Sequence, residues 1–207
     1  MKNKKDLSVM LREAGILFAI TLIAGLVLGL VYELTKEPIR IQQEKAVQEA
    51  CGAVFQSAAS FEKMEYTPEP ILAEELAGNG VKIGSVYRAL SSEGDLLGYV
   101  VESASSEGYA GRIVLYLGVA VDGTLNDISI LEIAETPGLG MEAQDLLVPQ
   151  FHNKNVDAFI YTKTGATADY EIDAISGATK TTRAITNAVN GGLKVAHVLL
   201  GGGDESE

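Results

Sequence analysis

From Ala14 to Tyr32 the chain reads AGILFAITLIAGLVLGLVY, a run without one charged side chain. About 19 residues at roughly 1.5 Å rise each match a hydrocarbon layer of about 30 Å. Tyr32 closes the run where an aromatic ring settles at a membrane interface. A buried core helix is the competing reading, and the length and lack of charge favour a span. Lys2, Lys4, Lys5 and Arg12 precede it. Residues 1–13 are therefore expected in the cytoplasm, 14–32 as a transmembrane anchor, and the remainder outside, in a single-pass protein of the cell (inner) membrane. A cleaved signal peptide is the alternative. The run is long for one, and Tyr32-Glu33-Leu34-Thr35 has no small-x-small cleavage pattern, so an uncleaved anchor is expected.

The rest of the 207 residues suits one ordinary domain. Formal net charge is −12, although residues 1–13 carry a surplus of two positive charges, so the part beyond them stands at −14. So acidic a domain repels nucleic acid, which excludes it as a partner. Cys51 has no second cysteine for a disulfide or a metal pair, and His152 and His197 are far apart in sequence. No metal site is expected.

Apolar residues recur at helical spacing from Val47 through Cys51 and Val54 to Phe61, which predicts a helix from Pro38 to about Phe61. Met64 to Gly80 reads as a connection, so residues 33–80 form a juxtamembrane helix and linker. Strand patterns follow at Val81–Leu90, Leu96–Ser103, Ile113–Val121 and Leu125–Ala134, with Ser91–Asp95 and Asp122-Gly123-Thr124 as turns. Met141 to about Phe151 reads as a helix, Ala158–Lys163 as a short strand, and Thr181–Leu200 as a helix that Gly191-Gly192 weakens. The expected fold is α+β: a mostly antiparallel sheet with flanking helices over 81–200, an acidic tail at 201–207, and one N-terminal transmembrane helix.

Three glycine-containing loops fall at strand ends: Gly108–Arg112, Glu135–Gly140 and Ser176–Thr179. Together they suggest one shared pocket, where glycine lets backbone approach a flat ligand. The third loop leads into a helix, whose first N–H groups and dipole favour an anion such as phosphate. An ordinary helix cap would use the same residue types. Thr164-Gly165-Ala166-Thr167 repeats the core of that loop twelve positions upstream, with Tyr161 where the other copy has Asp173 and no apolar helix after it. The acid before and the helix after therefore distinguish the downstream copy.

Asp173-x-x-Ser176-Gly177-Ala178-Thr179 resembles the modification motif of the FMN-binding domain family, found in the G subunit of the Rnf complex and the C subunit of the sodium-pumping NADH:quinone reductase. Glu135–Gly140 and Gly108–Arg112 are similar to that family's other loops, with a departure at Ala110 and Arg112. The short chain favours the Rnf member of the family. The resemblance implies a phosphoester between FMN and Thr179, made by a flavin transferase that uses FAD and magnesium. It also implies that Ser176, Gly177, Ala178, Thr136, Gly138, Leu139 and Gly140 flank the cofactor and that Asp173 serves recognition by the transferase. Lys163, ahead of the motif, has two readings of about equal weight, a contact with phosphate or ring oxygens and a solvated lysine at a strand end. Electrons would then pass through FMN between other membrane subunits, coupled to ion translocation, with no turnover by the isolated chain. A stand-alone membrane-tethered flavin reductase and a non-redox binding module are the rival readings.

Overall fold

The computed structural model describes residues 3–201, with side chains from Ser8 onward. The expected acidic tail lies almost wholly outside the described residues, as do the side chains of Lys2, Lys4 and Lys5. The chain divides into two compact units, one ending at Lys45 and the other beginning at Ala46.

Helix α1 runs over Asn3–Val54. Its most apolar window has a mean hydropathy of 2.6 and is exposed throughout, which makes it a candidate membrane span. Thr21 turns its hydroxyl back to the carbonyls of Leu17 and Phe18, both at 3.0 Å, so it adds no unpaired polar group to the apolar run. The separate helix expected from Pro38 is instead the continuation of α1, with Pro38 inside it. Proline withdraws one backbone donor there. Around it, Arg40 pairs with Glu37 one turn back and with Glu44 one turn on.

In the second unit, five antiparallel strands form a sheet in sequence order: β1 (Ser60–Met64), β2 (Val81–Leu90), β3 (Leu96–Ser105), β4 (Ile113–Ala120) and β5 (Leu125–Glu132). The four strands from β2 to β5 fall on the strand runs read from sequence. α1 ends at Val54, and β1 takes the place of the end of the helix expected to about Phe61, while the helix α2 (Pro70–Gly78) lies in the stretch expected as a connection. Proline in the first turn of α2 starts that helix, since an N–H there has no helical partner anyway. The Asp122-Gly123-Thr124 turn forms as expected. Gly123 takes φ +85°, and the Asp122 carboxylate accepts from the Thr124 N–H at 2.9 Å.

Both faces of the sheet are covered, and β4 is buried along nearly its whole length. The last turns of α1 place Cys51, Val54 and Phe55 against Ala89, Val100 and Tyr116 on one face. Helix α5 (Thr179–Gly201) covers the other, packing Ile185, Val189 and Leu193 over Val101, Leu115 and Leu117. The glycines that weaken α5 intrinsically are what seat it. A Cβ on Gly192 would overlap Leu117 Cδ2, and one on Gly191 would lie 2.7 Å from Val81 Cγ1. The hydroxyl of Ser103 donates to the Ala188 carbonyl at 2.7 Å, an added tie between β3 and α5.

Between β5 and α5 the chain is built from short pieces. The helix expected over 141–151 is a 3₁₀ turn at Gly140–Glu142 followed by α3 (Ala143–Leu146) and α4 (Val148–Phe151). Pro149 has no N–H with which to carry α3 onward. Strand β6 (Ile160–Thr162) pairs in parallel with β7 (Glu171–Asp173), placing Thr162 opposite Asp173. Asn190 of α5 fixes this region, accepting from the Phe159 N–H at 2.7 Å and donating to its carbonyl at 2.8 Å.

Candidate functional site

The three glycine loops converge on one cavity of about 260 Å³. The loop after β3 contributes Tyr109. The loop after β5 contributes Glu135, Thr136, Leu139 and Gly140. The start of α5 and the turn before it contribute Gly177, Ala178, Lys180 and Thr181.

Glu135 joins the first two loops. It is 7% exposed, and its Oε1 accepts from the N–H groups of Tyr109 at 2.8 Å and Ala110 at 3.4 Å. A carboxylate buried this far needs such donors to offset lost hydration. Gly108 makes room for it: a Cβ there would lie 2.6 Å from the same oxygen and would overlap the Gly111 carbonyl. Gly140 joins the second loop to the third, since a Cβ at that position would meet Thr181 Oγ1 at 2.7 Å.

The third loop is set by its own hydrogen bonds. Gly177 turns with φ +78°, and the Ala178 N–H returns to the Ile175 carbonyl at 3.0 Å. Thr182, fully buried, accepts from the Ile175 N–H at 3.2 Å and donates to the Ala178 carbonyl at 3.1 Å. α5 then begins, with the Thr182 N–H on the Ala178 carbonyl at 3.0 Å. The N–H groups of residues 179–181 precede the first helical donor, the Thr182 N–H, and so have no acceptor within the helix, a setting that suits an anion.

Thr179 is the first residue of α5 and is half-buried between two lining residues, Ala178 and Lys180. Among the described residues, the hydroxyls of Thr136, Thr179 and Thr181 have no protein hydrogen-bond partner. Those of Thr162, Thr164, Thr167, Thr182 and Thr186 all have one.

Of the other residues singled out from sequence, Ser176 and Gly138 are exposed on the loops that form the cavity. Lys163 is exposed on the segment after β6 and is not among the lining residues. Lys180 is the lysine that lines the cavity, and the sequence hides it because the helical pattern points to a start of α5 at Thr181. Tyr109, exposed at the cavity's edge, stands out in the sequence only as part of its loop. Asp173 is tied to the upstream copy: its Oδ1 accepts from the Ala166 N–H at 2.6 Å, and its own N–H donates to Gln150 at 2.7 Å.

Cys51 lies in the core beneath the other face of the sheet, where burial, helped by the Glu102 charge, pushes its thiol up to about 12. His152 pairs with Asp127 at 3.1 Å, away from the cavity. Among the described residues, no cluster of His, Cys, Asp or Glu has the makings of a metal site.

Two family descriptions match the chain: "FMN-binding domain" over residues 108–194, a range that takes in all three loops, and "RnfG N-terminal region" over residues 1–54. The chain is 31% identical to the G subunit of the Na(+)-translocating ferredoxin:NAD(+) oxidoreductase complex of Acetobacterium woodii, covering 94% of this chain and 95% of that one. It is 30% identical to the G subunit of the ion-translocating oxidoreductase complex of Methanosarcina acetivorans, over 83% of this chain and 86% of that one. Among solved structures, NqrC of Shewanella oneidensis aligns with a TM-score of 0.49 at 20% identity, covering 72% of this chain and 74% of that one.

Proposed function

The chain belongs to the family of Rnf complex G subunits and carries that family's FMN-binding domain, and from this premise we propose that Thr179 holds FMN through a phosphoester, in a domain facing away from the cytoplasm. The observation that carries the reading is the position of Thr179. Thr179 is not itself among the lining residues, but it opens α5 between two that are, Ala178 and Lys180, and its hydroxyl has no protein partner.

The residues present fit such a group. The first N–H groups of α5 and the Lys180 ammonium offset phosphate charge. Leu139 and Tyr109 supply apolar and aromatic surface for a flat ring. Gly140 lets the second loop close onto Thr181, and Gly177, at φ +78°, turns the third loop beside Leu139. A cavity near 260 Å³ is smaller than the roughly 300–1,000 Å³ that encloses a drug-sized ligand. A ring held here therefore keeps part of its surface open, as an electron carrier requires. FMN supplies the electron-transfer chemistry, and the protein supplies anchorage and electrostatic setting.

In this reading a flavin transferase attaches the group, Asp173 and Ser176–Thr179 are what it recognises, and electrons pass between neighbouring membrane subunits of an ion-translocating complex. The related complexes are described as sodium- and as proton-translocating. The test is production of the full chain with a flavin transferase, followed by ultraviolet illumination of a denaturing gel and intact mass. A fluorescent band lost in Thr179→Ala and kept in Thr167→Ala is expected. An unlabelled native chain in the presence of active transferase would remove the covalent reading.

A further inference from the structure

The sequence holds two copies of a Gly-Ala-Thr segment, ending at Thr167 and Thr179. Exposure does not explain a choice between them, because Thr167 is the more exposed. Nor does the acid of the motif, once the chain is folded. The parallel pairing of β6 with β7 brings Asp173 against the upstream copy, where its carboxylate accepts from the Ala166 N–H at 2.6 Å, one residue before Thr167.

Apart from the helix that follows Thr179 and not Thr167, what separates the two threonines is Glu171. One carboxylate oxygen, Oε2, accepts from the Thr167 N–H at 2.7 Å, the Thr167 hydroxyl at 2.8 Å and the Ala168 N–H at 3.2 Å. Among the described residues, no carboxylate bonds the Thr179 hydroxyl. We propose that Glu171 confines flavin transfer to Thr179 by engaging the Thr167 hydroxyl and placing a negative charge where the incoming phosphate would have to approach. The inference rests on the covalent reading above and adds to it a residue that sets the site of modification.

The chemistry is a phosphoryl transfer. A threonine Oγ forms a bond to the phosphorus on the FMN side of FAD, the pyrophosphate P–O bond breaks, AMP leaves, and the hydroxyl proton passes to a base of the transferase. At Thr167 the attacking oxygen lies 2.8 Å from a carboxylate oxygen. Like charges a few ångströms apart repel even where solvent screens them. Glu171 does not compensate as a general base, because the Thr167 N–H and hydroxyl hold its carboxyl below the usual carboxylate range and make it a poor proton acceptor.

Full-length wild type, Glu171→Gln, Glu171→Ala and the double variant Glu171→Gln/Thr167→Ala would each be produced with a flavin transferase, FAD and magnesium, then analysed by intact mass and peptide mapping. Wild type is expected to carry label on the Thr179 peptide alone. Both single variants should acquire label on the Thr167 peptide, with Thr179 label retained as the control for folding. The double variant should lose the second label. Glu171→Gln and Glu171→Ala labelled only at Thr179, or wild type labelled at both threonines, would overturn the role of Glu171 while leaving the covalent reading intact. A wild-type chain with no label at Thr179 would remove both.

Discussion

The carboxylate of Glu135 is bonded to the backbone of Tyr109, Oε1 to N–H, at 2.8 Å. Through this contact the loop after β5 holds the loop after β3 in place. The cavity wall is thus tied by a side chain to a main chain, which leaves the Tyr109 ring at liberty to meet a ligand.

Glu135→Ala leaves the N–H groups of Tyr109 and Ala110 without their acceptor and is expected to destabilise the unloaded domain by about 1.5–3 kcal/mol. Glu135→Gln keeps an acceptor oxygen and should cost less. Urea denaturation ranks the two, and a Gln variant weaker than the Ala variant would contradict the assignment.

Gly192→Ala raises intrinsic helix propensity by about 1 kcal/mol, yet its Cβ would overlap Leu117 Cδ2. Overpacking of this kind costs about 1–3 kcal/mol, so a net loss of stability is expected. A raised midpoint in thermal unfolding would show that α5 has slack against the sheet.

Thr182→Val keeps the shape of a buried side chain and removes the hydroxyl that links Ile175 to Ala178. The expected loss is about 1–3 kcal/mol by chemical denaturation, with slower labelling at Thr179, and Thr182→Ser should restore both. The loop before Thr179 has to be ordered for the motif to be presented, and this hydroxyl orders it.

Alkaline stability follows from the core on the α1 side of the sheet. Burial first, and the nearby Glu102 charge second, raise the Cys51 thiol from its ordinary 9.0 to about 12. The same two causes raise the Tyr116 phenol, whose hydroxyl donates to Glu102 at 3.1 Å. For an acid whose folded-state value is raised, the contribution is complete below the unfolded value and is lost as pH climbs to the folded one. Stability should therefore be insensitive to these groups below about pH 9 and fall between about 9 and 12. Denaturation midpoints at intervals across that range test this, and Cys51→Ala should flatten part of the slope.

Lys180→Met removes the lysine that lines the cavity. With flavin attached, the loss of positive charge should lower the midpoint potential, by about 30 mV for each 1.4 kcal/mol of lost stabilisation in a two-electron couple. Lys163→Met should leave it unchanged. Spectroscopic redox titration reads both.

Much of this is legible in the chain alone, and the exceptions share a cause. Strands β2 to β5 announce themselves because each is an apolar run bounded by turn residues and pairs with a neighbour close in sequence, and Asp122-Gly123 marks their tightest turn. The three loops are visible from their glycines, and the cavity they line is where they meet. β7 is not visible: three residues paired in parallel with β6 carry no periodic signal, and the pairing is decided by tertiary contacts such as Asn190 to Phe159. β1 is hidden because Phe61 continues the helical spacing of Val54 and Ala58, while the chain leaves α1 after Val54 and the Ala59 N–H pairs with the Leu90 carbonyl. Lys180 escapes notice for a smaller reason, since a shift of two residues in where α5 starts moves it from a loop to the rim of the cavity.

The flush contact of Gly191 and Gly192 with the sheet gives α5 a fulcrum. At about 1.5 Å per residue the helix extends roughly 20 Å from there to Thr179. Because Val189, Ile185 and Thr182 are buried along the way, a displacement at that seat is carried by the whole helix to its tip, and the distant end is aimed by packing deep in the domain.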